Sequence, residues 1–175
     1  MKALFDLSKK EHTDLLERQL ATKGAYRCQG GVRAVVAAGG APGLVWALRV
    51  FEKGPPEVRG RVLDALSAVH FKEGWRFLVK CLDDKAAVPD WKAKQEAPMN
   101  YADLRVCDHA LRTLAGRLEN QEELKLPKEV NGGRGGPLTT IESRDGQIAS
   151  LKKFVAEDKK YLALVAKEPD RKSVV

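Results

Sequence analysis

Apolar residues recur at three- and four-residue intervals in short stretches of this chain, with glycine or proline between those stretches. In residues 41–53, for example, Leu44, Leu48 and Phe51 fall on one side of a helix that stops before Gly54. This period indicates amphipathic α-helices that each bury one stripe. It predicts an all-α protein with helices over residues 8–23, 26–38, 41–53, 57–69, 71–83, 101–118 and 144–166, and with loops at 85–99 and 119–143.

The composition fits one helical domain over residues 1–175. Hydrophobic residues make up 43% of the chain but aromatic residues only 6%, so the core must consist mainly of alanine, leucine and valine. These side chains favour packed helices over a β-sandwich or barrel, which draws on more aromatic and β-branched residues. No apolar run reaches the roughly 18 residues that a membrane span requires, and we expect no membrane partner.

The helices predicted at 41–53 and 71–83 repeat one another with a period of 31 residues. The aligned pairs are Gly43 with Gly74, Leu44 with Trp75, Trp46 with Phe77, Ala47 with Leu78, Leu48 with Val79, Arg49 with Lys80, Phe51 with Leu82 and Glu52 with Asp83. Such self-similarity indicates stacked helical hairpins.

The helices that follow each copy also match, provided that 85–99 is an insertion of fifteen residues. Each begins with an acidic residue, an aliphatic residue and an arginine, and an Ala-Leu pair comes later. The matched residues are Glu57-Val58-Arg59 with Asp103-Leu104-Arg105, and Ala65-Leu66 with Ala110-Leu111, the last pair one residue out of step. The repeat is therefore degenerate.

This pattern resembles the HEAT-type repeat of armadillo-type helical-repeat proteins, over about residues 41–118. The resemblance implies a short α-solenoid of antiparallel helical hairpins, here with a long inserted loop and a C-terminal capping helix. In such repeats the arginine braces the turn between hairpins, which implies structural roles for Arg59 and Arg105. Leu66 and Leu111 are predicted to lie in the core.

Three adjacent residues, Cys107, Asp108 and His109, raise the question of a nucleophile and its base. Helical neighbours point about 100° apart, so we expect a core thiol, with the other two at the helix edge. The remaining histidines and the paired carboxylates show no metal-ligand spacing: His12, His70, Asp83-Asp84 and Glu122-Glu123. We therefore predict no catalytic residue, no metal and no cofactor.

The three cysteines, Cys28, Cys81 and Cys107, are odd in number and have no paired spacing. We expect buried free thiols rather than disulfides or a zinc site. That usage indicates a reducing compartment and predicts a cytoplasmic protein.

The inserted loop at 85–99 is the better candidate for partner binding. Trp91 stands beside Lys92 and Lys94 and close to Tyr101, which offers a stacking surface with nearby positive charge. The competing interpretation is that Trp91 folds back over the edge of the repeat.

A second loop carries Arg134 within the glycine-rich stretch 131–136. It lacks the strand, helix and Lys-Ser/Thr pair of a phosphate-binding loop. We interpret it as a surface connection and retain Arg134 as a possible partner contact.

The formal net charge is +7, but acidic residues accompany nearly every basic cluster. Nucleic acid is therefore a possible partner without being the favoured one. We expect a non-catalytic scaffold or adaptor for an unidentified protein; the alternatives are a nucleic-acid-binding repeat protein and an accessory subunit of a larger enzyme. Nucleic-acid binding predicts that five arginines share one concave face: Arg33, Arg49, Arg61, Arg76 and Arg112.

Overall fold

A computed structural model of the protein describes residues 11, 12, 14, 15, 18, 32, 33, 36, 43–67, 74–88, 104–130 and 140–166. Within these ranges the fold is all-α, as predicted, and the only β pairing is an isolated antiparallel bridge between Ala87 and Arg105. The described residues before 43 are helical as well. The longer helices are α1 (43–53), α2 (Pro56–Ser67), α3 (Trp75–Cys81), α4 (Val106–Glu119), α5 (Ile141–Glu157) and α6 (Lys159–Ala166).

The chain turns tightly between α1 and α2 at Gly54, whose N–H donates to Phe51 O at 3.3 Å. A Cβ at this glycine would lie 2.7 Å from Val58 Cγ1 and 2.8 Å from Val50 O. Both distances are too short for a real side chain, so the tight connection requires glycine here.

Among α2 to α6, helices α2 and α4 share the most extensive contact and pack along each other; we call them the two central helices. Their largest fully buried side chains are leucines, and α1, α3, α5 and α6 add apolar residues to the same cluster. Thr113 Oγ1 of α4 also donates to Leu63 O of α2 at 3.0 Å. The buried leucines of the two central helices with less than 2% exposure are Leu63, Leu66, Leu114 and Leu118.

The predicted helix over 101–118 is wrong at its beginning. Leu104 and Arg105 are extended because they pair with residues 86–88, and the helix begins at Val106. Arg105 donates its backbone N–H to Asp108 Oδ2 at 2.9 Å, which caps the first turn. Apolar spacing alone could not separate this extended approach from the helix that follows it.

The predicted helix over 144–166 is wrong in two respects. It begins earlier, at Ile141, because Thr140 Oγ1 accepts the N–H of Ser143 at 3.3 Å and caps it. It also breaks at Asp158, whose ψ of 116° is extended. Asp158 Oδ1 then accepts the N–H of Tyr161 at 2.8 Å, so one residue ends α5 and caps α6.

The helix predicted over 71–83 is shorter within the described residues. Gly74, with a φ of 92°, precedes α3 in the left-handed conformation that favours glycine, and the helix ends at Cys81.

No helix in the described part of the chain combines the length and apolarity needed to cross a bilayer.

Candidate functional site

Two short segments pair where the chain leaves α3 and where it enters α4; we call these segments, 86–88 and 104–106, the neck. Val88 N–H donates to Leu104 O at 2.9 Å, and Val106 N–H donates to Ala86 O at 3.0 Å. The insertion predicted at 85–99 therefore begins too early, because residues 86–88 belong to the neck; from here on the insertion means residues 89–103. These residues lie outside the described part of the chain, and Val88 and Leu104, which flank them, are paired at the neck. This pairing could not be predicted from the sequence, because two three-residue segments are too short to show a strand pattern.

The first segment of the neck is attached to α2. Asp84, just before it, pairs with Arg59 Nη1 through Oδ2 and accepts the N–H of Ala86 through Oδ1 at 3.2 Å. The guanidinium carbon of Arg59 also lies 5.9 Å from the ring centre of Phe51 in α1. A Cβ at Gly60 would lie 3.3 Å from Val88 Cγ1, so α2 passes close beneath the neck.

The second segment of the neck is held by an ion network that we call the arginine cluster: Arg105, Asp108, Arg144 and Asp145. Its first three members are buried, whereas the side chain of Asp145 is 40% exposed. Arg105 donates to Asp108 through Nε at 3.1 Å and through Nη2 at 2.9 Å. Arg105 Nη2 also lies 2.8 Å from Asp145 Oδ1, and Arg144 Nε lies 3.3 Å from Asp108 Oδ1. Two guanidinium groups thus face two carboxylates, which offsets part of the cost of burying them.

The cluster shifts the protonation equilibria of its members. The side-chain hydrogen bond with Asp108 raises the pKa of Arg105 further above its already high range. The hydrogen bond from Arg105 lowers the pKa of Asp145 below its usual range. Burial, followed by the nearby charge of Asp108, raises the pKa of Cys107 to about 11. The first two shifts favour the charged forms, and the third keeps the Cys107 thiol protonated at neutral pH.

His109 faces the opposite side of α4, towards α2. Its ring is fully buried, and Nδ1 lies 2.8 Å from Asp64 Oδ1, a distance that fits an N–H donating to the carboxylate. Together with the bond from Thr113 to the backbone of α2, this pair ties the two central helices together at two points.

The expectation of a helix edge for Asp108 and His109 is wrong, since their exposures are 1% and 0%. Cys107 Sγ lies 3.9 Å from Asp108 Oδ1, so these two neighbours do touch, whereas His109 turns away to Asp64. The thiol of Cys107 and the carboxylate of Asp108 therefore lie at the arginine cluster, whereas the imidazole of His109 pairs with Asp64 of α2. Spacing on one helix could not reveal this, because the partners come from α2 and α5.

The predicted partner-binding residues lie outside the described residues: Trp91, Lys92, Lys94, Tyr101 and Arg134. So do Cys28 and His70. Leu66 and Leu111 are buried, with exposures of 1% and 3%. The Asp83-Asp84 pair is split, because Asp83 pairs with Lys152 of α5 while Asp84 pairs with Arg59.

Cys81 and Cys107 are buried free thiols, as predicted.

Of the five arginines expected to converge in a nucleic-acid-binding protein, Arg61 is buried in α2, while the other four are exposed. Arg76 Nη2 of α3 lies 3.5 Å from the carbonyl oxygen of Val165 in α6. In the described ranges, no three His, Cys, Asp or Glu side chains are placed to hold a metal ion.

Comparisons of the chain with protein-family models, curated proteins and solved structures found no match. Function must therefore be inferred from the residues and their geometry.

Proposed function

We propose that the protein is a non-catalytic scaffold or adaptor that binds another protein through the insertion at residues 89–103. One observation carries this proposal: the neck. Hydrogen bonds between Val88 and Leu104 and between Ala86 and Val106 bring the two ends of the insertion together at one place on the helical domain. The residues that flank the insertion, Val88 and Leu104, are thus hydrogen-bonded to each other at one anchored position on the helical domain.

The anchoring of that base supports a recognition role. Asp84 ties one segment of the neck to α2, and Arg105 ties the other to α4 and α5. Loops presented by a rigid scaffold are common binding elements. The proposed contacts are Trp91, Lys92, Lys94 and Tyr101, which combine aromatic surface with positive charge and suit a partner with an apolar, acidic patch. Arg134, in the other loop, is a further proposed contact.

The proposed architecture is a short α-solenoid of HEAT-like hairpins. The hairpin of α1 and α2 and the pairing of α2 with α4 support it, as does the ion pair of Arg59 with Asp84 next to the turn after α3. In this architecture α5 and α6 cap the last hairpin. The resulting stack supplies a fixed frame for the insertion.

A non-catalytic role is supported by the partners of the buried ionisable groups. Asp64 and His109 bind each other across α2 and α4, and Asp108 is occupied by arginines. A general base must lie within reach of the proton that it abstracts from a substrate. His109 is fully buried in the core, where a substrate has no access to it. Because Cys81 and Cys107 are buried free thiols, we expect the protein to act in the cytoplasm.

The test is capture of partners from a lysate of the source by the tagged protein, with and without nuclease, read by mass spectrometry. The test variant is Trp91→Ala with Lys94→Ala. A matched control, Lys125→Ala with Lys128→Ala, changes two lysines that are exposed in the connection after α4. We expect discrete proteins that survive nuclease, persist in the control variant and are lost from the test variant.

Two results would contradict the proposal. Capture that collapses with nuclease would indicate nucleic-acid binding, and a titration at several salt concentrations would then measure the phosphate contacts. Capture that is equal in both variants would place the binding surface elsewhere. If the captured protein is an enzyme, the scaffold is an accessory subunit, and the activity of that enzyme with and without this chain measures its contribution.

A further inference from the structure

Asp145 of α5 contacts the second segment of the neck and the residue that precedes the first segment. Its Oδ1 lies 2.8 Å from Arg105 Nη2 in the second segment, and its Oδ2 lies 3.9 Å from Nζ of Lys85, the residue just before the first segment. Asp108, the other carboxylate bound to Arg105, belongs to α4 and can hold only the second segment. Lys152 of α5 pairs with Asp83, on the first side only, so Asp145 is the residue of α5 that has an ionic contact on each side of the neck.

The charge balance of the arginine cluster depends on the same carboxylate. Arg105 and Arg144 are largely buried and meet two carboxylates, Asp108 and Asp145. Without Asp145, both guanidinium groups would compete for Asp108, which is itself only 1% exposed. A partly buried positive charge would then be left uncompensated, and Arg105 would gain by moving towards solvent. Since Arg105 forms the bridge with Ala87, that movement would pull on the neck.

We propose that Asp145 is a positioning residue that couples the C-terminal helices to the neck. By holding Arg105 and attracting Lys85, it keeps segment 104–106 paired with segment 86–88. The position of α5 thereby controls how stably segments 86–88 and 104–106 remain hydrogen-bonded to each other. The consequence for partner binding rests on the proposed function; the coupling of α5 to the neck does not.

Hydrogen exchange of the full-length protein tests the coupling, because the Val88 and Val106 amides are the donors that close the neck. Asp145→Asn is expected to speed exchange of these two amides by about fivefold, as loss of a partly exposed charge-assisted bond should do. The amide of Leu114, inside α4, serves as the internal reference and should not change. Asp145→Glu keeps the charge and should restore most of the protection.

Asp83→Asn is the matched control. It removes one carboxylate that binds Lys152 of the same helix, but it leaves the arginine cluster intact. Faster exchange at the neck in Asp145→Asn alone would support the coupling. Unchanged exchange in Asp145→Asn, or an equal increase in Asp83→Asn, would overturn it, since the second result would reflect general loosening of α5.

Partner capture by the same variants separates the coupling from the proposed function. If Asp145→Asn speeds exchange at the neck and lowers capture, both inferences gain support. If it speeds exchange but leaves capture unchanged, the coupling stands and the insertion is not the binding element.

Discussion

The contact between α2 and α4 is buried, whereas the contact between α5 and the neck is partly exposed through Asp145, and the two are built from different chemistry. Fully buried leucines dominate the first, with one Asp64–His109 pair and one hydroxyl bond set among them. Four charged side chains dominate the second. Apolar burial is nearly independent of pH and is not weakened by moderate salt, whereas partly exposed ion pairs respond to both and buried pairs are screened much less. We therefore expect solution conditions to act on the contact between α5 and the neck mainly through its exposed carboxylate, Asp145.

The largest expected effect lies in the apolar region. Leu66→Ala or Leu111→Ala should lower the free energy of unfolding by about 2–5 kcal/mol, because each leaves a cavity among packed side chains. Urea denaturation measures the change. Leu162→Ala is the control, since that leucine is 46% exposed and should cost much less. Equal stability of the two core variants and the wild type would contradict the assignment of this core.

A smaller effect is expected in the ionic region. Asp108→Asn removes the charge that both arginines approach and should cost about 2–3 kcal/mol, since two guanidinium groups then compete for Asp145. The measurement is urea denaturation at low and high salt, with Asp145→Asn beside Asp108→Asn. Buried ion pairs are screened much less than exposed ones, so the loss of stability in Asp108→Asn, at a carboxylate only 1% exposed, should change little with salt. The smaller loss in Asp145→Asn, at a carboxylate 40% exposed, should shrink with salt. An equal response of both variants to salt would contradict this difference between the two carboxylates.

A further effect concerns pH and Asp145. Its folded-state pKa is lowered by Arg105, so its contribution to stability is present above the unfolded-state pKa of about 4 and is lost as the pH falls through the folded value. The wild type should therefore have a higher Tm than Asp145→Asn at pH 7. The two Tm values should converge as the pH falls from 7 through the lowered folded-state pKa of Asp145. A difference that stays constant between these limits would show that ionisation of Asp145 contributes nothing.

The smallest effect is expected in the insertion itself. Deleting Trp91 to Gln95 should leave the helical circular-dichroism signal unchanged, because the neck closes the base and the six long helices lie outside the deletion. A large loss of helix would show that the insertion belongs to the core, as in the alternative in which Trp91 covers the edge of the repeat.

The helical parts of the fold followed from local rules. The stripe through Leu44, Leu48 and Phe51 predicted α1, and Gly54 marked the turn after it. The predicted helix boundaries were wrong where a residue distant in sequence changes the local conformation. The extended conformation of Arg105 depends on residues 86–88, which no periodicity near residue 105 could indicate.

The candidate site was less predictable than the fold. Arg59 and Arg105 stood out only through their resemblance to a repeat pattern, and the partner residues that complete their contacts lie on other segments. Asp108 and His109 were assigned to a helix edge because helical neighbours point about 100° apart and Cys107 was placed in the core. Their burial follows from Arg105, Arg144 and Asp64, which compensate them in the folded chain.

The sequence by itself determined the all-α class, the apolar stripes and the glycine turn, because these depend on neighbours within a few residues and on the helical period. Only the tertiary structure decided which charges are buried, where the neck closes and that α5 reaches it through Asp145. Burying an ion is tolerable only beside a counter-ion, and here the counter-ions come from segments far apart in the chain. That pairing is a property of the packed helices rather than of any one of them.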